Sequence, residues 1–85
     1  MTPRDKAQQG VAFLKEAILE TLRNHPEGLN NAQIADLLEI RSNYKGANKD
    51  YLSWSVLGLL LNAGQIERKG RKYFLAARST TVAGA

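Results

Sequence analysis

The chain has 85 residues and a mass of 9.4 kDa, enough for one small core that buries roughly 60–65% of the unfolded surface. Its hydrophobic share of 44% argues against wholesale disorder, while the lack of cysteine and the single histidine exclude disulfides, thiolate catalysis, cysteine-based zinc sites and histidine clusters. A net charge of +4 and a pI near 9.7 direct attention to a polyanionic partner. No apolar run approaches the roughly 18 residues a membrane span needs, and the first ten residues are too polar for a signal peptide, so a cytoplasmic location without membrane association is expected.

Thr2 followed by Pro3 reads as an N-cap with proline at the first helical position. Val11, Leu14, Ile18 and Leu22 then recur at helical spacing, with Ala17 widening the stripe, and predict a first helix ending near Asn24. Gly10 weakens its early turns and favours a later start. His25-Pro26-Glu27-Gly28 stops it. Leu29 stands alone before Asn30 and Asn31, either of which can cap a second helix whose buried face is Ile34, Leu37 and Leu38, with Ile40 turned back to the core.

Residues 41–48 have no period and read as a polar loop, with Asn48 as the cap of a third helix through Tyr51, Leu52, Trp54, Val56, Leu57, Leu59, Leu60 and Leu61 to Ala63. Gly64 is its stop. Two short β-prone segments around Gly70 predict a hairpin whose Ile66, Tyr73 and Leu75 face the core. The expected architecture is mainly α with a small β-hairpin: one domain over residues 1–77 and a flexible tail over 78–85.

The charge is unevenly placed. Residues 1–40 carry four basic and six acidic side chains, whereas residues 41–78 carry eight basic and two acidic ones, a local balance of +6. Such asymmetry is expected where one surface faces phosphate and the remainder supports it.

The run from Leu29 to Ile40 with its Ile34-Ala35 pair, the Leu57-x-x-Leu60-x-x-x-Gly64-Gln65-Ile66-Glu67-Arg68 segment and the returning Lys72-Tyr73-Phe74-Leu75 together resemble the winged helix-turn-helix family over residues 11–77. Tyr44-Lys45-Gly46 followed by Tyr51-Leu52-Ser53-Trp54-Ser55 is similar, more narrowly, to prokaryotic winged-helix modules associated with restriction and DNA-modification systems. The resemblance implies three helices and a wing, with the third helix entering a DNA groove, and a role in transcription regulation or DNA recognition. The chain departs from the family between its second and third helices, where residues 41–48 replace a turn of roughly three or four residues.

The sharpest chemical feature is the hairpin, where Arg68, Lys69, Arg71 and Lys72 surround Gly70; phosphates or a narrow minor groove would relieve their repulsion, although a solvated edge hairpin also uses such residues. The resemblance adds Asn48, Lys49, Tyr51 and Ser53 at the start of the third helix, with Arg41, Asn43 and Lys45 from the preceding loop, as candidate DNA contacts. The third helix is apolar all round. The wheel places Leu52, Val56, Leu59, Leu60 and Ala63 on one side and Trp54, Leu57 and Leu61 on the other, whereas the resemblance implies Leu57 and Leu60 in the core; Trp54 and Leu61 are read as core or interface residues rather than base-stacking ones.

Ser53 and Ser55 lack an activating neighbour, His25 lies at a turn and the carboxylates read as solvated faces, so no enzyme and no cofactor or metal is expected. Double-stranded DNA is the expected partner, with a homodimer supplying specificity. The alternative is a protein-interaction or dimerisation winged helix that reads no sequence.

Overall fold

A computed structural model of the chain describes residues 1–44 and 47–77, with the backbone alone for residues 43, 44 and 47–49. Three helices carry most of the described residues: α1 (Pro3–Arg23), α2 (Asn31–Leu37) and α3 (Tyr51–Asn62). Strands β1 (Leu29–Asn30), β4 (Ile66–Lys69) and β5 (Lys72–Leu75) form a small antiparallel sheet in the order β1-β5-β4. A separate hairpin joins β2 (Ser42–Tyr44) to β3 (Ala47–Lys49). The expected mainly α architecture with a small β element is thus present. The tail over 78–85 lies outside the described residues, and among the described residues no helix is long and apolar enough to cross a membrane.

Local chemistry sets the helix starts. The Thr2 hydroxyl accepts from the Asp5 backbone N–H at 3.1 Å while the Asp5 carboxylate accepts from the Thr2 N–H at 3.2 Å, a capping box that starts α1 at Pro3 despite Gly10. Asn30 and Gln33 repeat the device for α2, at 2.8 and 2.9 Å. At the far end of α3, the Gly64 N–H donates to the Leu61 carbonyl and the Gln65 N–H to that of Leu60, which closes the helix and delivers the chain into β4.

The same closure ends α2, with the N–H groups of Glu39 and Ile40 donating to Asp36 and Ala35, but here a glutamate occupies the left-handed position at φ 54°. Left-handed backbone costs an L-residue about 1–2 kcal/mol, more than glycine's extra conformational entropy of roughly 0.5–1 kcal/mol. Glu39→Gly is therefore expected to stabilise the fold by about 0.5–1 kcal/mol, read as a higher urea midpoint at unchanged slope. A lower midpoint would contradict this reading of the Glu39 backbone.

The core forms where one stripe of each helix meets one sheet face. Ile18 and Leu22 of α1, Ile34 of α2, and Val56, Leu57 and Leu60 of α3 enclose Leu29, Ile66 and Tyr73 from the sheet. Leu29, solitary in sequence, is a strand residue paired with Tyr73. Gly28 immediately before it has φ 86° and lies against the Phe74 ring, 2.5 Å from where a Cβ would stand, so a side chain here is opposed by both backbone and packing.

Several sequence expectations are corrected. Residues 41–48 do not form an irregular loop: Ser42 pairs with Lys49, Asn43 with Asn48 and Tyr44 with Ala47. Asn48 therefore lies in a strand and does not cap α3; Asp50 occupies that position, without a side-chain cap. Leu37 is exposed rather than core-facing. The buried stripe of α3 is Ser53, Val56, Leu57 and Leu60, leaving Leu52, Trp54 and Leu59 exposed. Leu57 belongs with Leu60, not with Trp54.

Candidate nucleic-acid interface

The β4–β5 hairpin turns through two residues, Gly70 and Arg71, with Lys69 and Lys72 paired at its neck. Positive φ falls on Gly70 alone (63°), the first central position, where a two-residue hairpin turn can require glycine. Directly opposed strand residues share a face. Ile66–Leu75 and Arg68–Tyr73 therefore lie on the side that meets the core and α3, and Glu67–Phe74 and Lys69–Lys72 on the other. The four cations read as one cluster in the sequence are divided by the pleat.

The two sides differ electrostatically. On the outer side the Lys69 ammonium lies over the Phe74 ring at 5.6 Å, and a shallow depression there also contains Arg23 and Glu67. Glu27 adds negative charge nearby: its own backbone N–H foremost, then His25 at 3.2 Å and, more weakly, the charges of His25 and Lys72 hold its carboxyl below the ordinary value. On the α3 side the Arg68 guanidinium stands 5.9 Å from the Tyr73 ring centre, and its Nε donates to the Gly70 carbonyl at 2.9 Å. Arg68 is thereby braced against its own turn, with Arg71 beside it at the tip.

Two adjoining grooves run along this inner side. One, of about 410 Å³, lies between the start of α2 (Asn30, Asn31, Ala32), Trp54, Tyr73, Arg68 and Arg71. The other, of about 240 Å³, continues between Trp54, Ser55, Gly58 and Leu61 of α3 and Arg68 and Tyr73. Trp54 is 61% exposed, which overturns its placement in the core of this chain; Leu61 is half-buried beside it.

Ser53 is also placed differently from expectation. It is fully buried, with its hydroxyl 2.5 Å from Asn31 Oδ1 and 3.0 Å from the Asp50 carbonyl, while Asn31 Nδ2 donates to that carbonyl at 3.2 Å. Ser53 cannot reach a nucleic acid; with Asn31 it ties the N-terminal ends of α2 and α3 together. Sequence reasoning missed Asn31 in this role, because a pairing across 22 positions leaves no local periodicity to find.

Among the other candidates, Tyr51 is exposed at the first turn of α3, and Arg41 forms an ion pair with Asp36 at 3.1 Å immediately before β2. Lys45 lies outside the described residues, and so do the side chains of Asn43, Asn48 and Lys49, whose backbones occupy β2 and β3. The β2–β3 and β4–β5 hairpins thus bracket α3 in sequence. The helix between them carries no charged residue.

Comparison with protein-family models, with curated proteins and with solved structures finds no match for this chain.

Proposed function

We propose that the chain is a small winged helix-turn-helix protein that binds duplex DNA, with α2 and α3 as the helix pair and the β4–β5 hairpin as the wing. The carrying observation is the concentration of Arg68, Lys69, Arg71 and Lys72 on one short hairpin beside α3, in the half of the chain with a charge balance of +6. The start of α3, with Tyr51 exposed, approaches the major groove, while the wing lies against an adjacent backbone or minor groove. The β2–β3 hairpin replaces the short turn of the motif and brings the Lys49 backbone to the start of α3 by chain connectivity. This is the work of a prokaryotic transcription regulator or of the recognition module of a restriction or modification system, acting in the cytoplasm without cofactor or catalysis.

Binding is expected to depend steeply on salt. If about four to six cations meet phosphates, log K falls against log salt with a slope near −4 to −5. Fluorescence anisotropy with a labelled duplex at several salt concentrations measures it; no binding even at low salt overturns the proposal.

A second reading, self-association or capture of a protein partner, is favoured by Leu52 and Leu59. They are 47% and 45% exposed and stand one above the other on the flank of α3 away from Trp54 and Leu61. Sedimentation over a range of concentrations decides its homodimer form: a strict monomer removes it.

A further inference from the structure

We propose that the groove between α3 and the β4–β5 hairpin binds an unpaired nucleotide, its base stacked on Trp54 and its phosphate held by Arg68 and Arg71. The inference rests on the nucleic-acid reading above and adds a preference within it, for DNA in which one nucleotide is already out of the stack.

Three observations carry it. The first is the indole, exposed on an otherwise uncharged helix and set into the groove wall beside two guanidinium groups. An exposed aromatic ring next to paired cations is the arrangement that takes a base on its face and a phosphate at its edge. The second is the inventory of polar groups. The Asn31 amide is committed to Asp50 and Ser53, and the Asn30 amide oxygen to the cap of α2. The other polar side-chain groups of the lining are the indole N–H, the guanidinium N–H groups of Arg68 and Arg71, the Asn30 amide nitrogen, and the Ser55 and Tyr73 hydroxyls. Donors predominate and both charged groups are cations, which favours an anion rich in acceptors.

The third observation is charge. Among the described residues no carboxylate lines either part of the groove, whereas Glu67 and Glu27 stand on the outer side of the hairpin. The field of the two arginines is therefore directed into the groove. The larger part, of about 410 Å³, falls within the roughly 300–1,000 Å³ usual for clefts that hold small ligands. A duplex segment with every base paired offers no free base face; a bulged nucleotide does, without the cost of extrusion.

The chain's single tryptophan makes the test direct, because its fluorescence has one source. The full chain is titrated with an intact duplex and with the same duplex carrying one unpaired thymine, following anisotropy of the labelled DNA and quenching of Trp54. The bulged duplex is expected to bind about tenfold more tightly and to quench the indole, as base–aromatic stacking implies. Trp54→Ala is expected to remove most of that preference and Trp54→Phe to retain much of it; the exposure of Trp54 leaves both variants able to fold. Equal affinity for the two duplexes, or a preference that survives Trp54→Ala, overturns this inference while leaving duplex binding intact. Quenching by a poly-glutamate peptide as strong as that by the bulged duplex also overturns it, making the groove a general anion site. Binding to neither duplex overturns it together with the reading on which it rests.

Discussion

Leu57→Ala is expected to destabilise the fold by about 2–5 kcal/mol, whereas Leu59→Ala, two residues along the same helix, should change stability by about 0.5 kcal/mol or less. Leu57 is fully buried, among Ile18, Leu22, Leu60 and Tyr73, and Leu59 is 45% exposed. Both substitutions remove the same atoms and incur a similar change in helix propensity. What separates them is the cavity left where α1, α3 and the sheet converge. A domain of this length holds a total stability of about 4–13 kcal/mol. The Leu57 variant should therefore melt about 10–30 °C lower by circular dichroism, or be largely unfolded at room temperature. Similar losses for the two variants would show that Leu59 is buried in solution by a second copy or partner. That outcome would support the protein-interaction reading.

The contrast between these two leucines also shows where the sequence stops being informative. The starts of α1 and α2 were legible because Thr2 stands before Pro3 and Asn30 before the Ile34 stripe; that of α3 was not, because Asp50 holds the cap position without a side-chain bond. The end of α3 was legible because Gly64 stands where a left-handed residue is needed. The end of α2 was not, because Glu39 adopts that conformation without the glycine that normally marks it. The rotation of α3 was illegible for a different reason. With leucines all round and no charged side chain, nothing in Tyr51–Asn62 marks the outward face. Ser53 misleads outright, since its hydroxyl is buried on Asn31 while Leu52 and Trp54 on either side are exposed.

Strands β2 and β3 escaped notice because their pairing rests on backbone hydrogen bonds under mainly polar side chains, with no apolar alternation to reveal a face. The basic wing was legible as a cluster. Its division into two faces follows from the register set by a two-residue turn, with Lys69 opposite Lys72 and Arg68 opposite Tyr73. Counting cations gave their number but not their direction, and direction is what the wing contributes to binding.

Replacing Arg68, Lys69, Arg71 and Lys72 together by glutamine is expected to weaken duplex binding on the order of 10³-fold at 0.15 M salt and to reduce the salt slope by about 3–4. Each phosphate contact contributes about 0.9 to that slope, so the loss follows from counterion release if all four cations engage the backbone. Paired substitutions divide the effect by face. Lys69 lies over Phe74, and Lys72 stands close enough to Glu27 to help depress its carboxyl, so part of the positive field on the outer side is already offset. Arg68 and Arg71 line a groove that has no carboxylate among the described residues. The Arg68→Gln/Arg71→Gln pair should therefore lose more affinity than Lys69→Gln/Lys72→Gln, although each removes the same formal charge. Arg68 also bonds the Gly70 carbonyl and approaches the Tyr73 ring, so thermal melts must accompany the binding curves. If the melts are unchanged and the two pairs lose affinity equally, only the number of charges on the wing matters. If the arginine pair loses more, as the groove's lack of carboxylates implies, the side of the hairpin facing α3 is the side that meets the DNA.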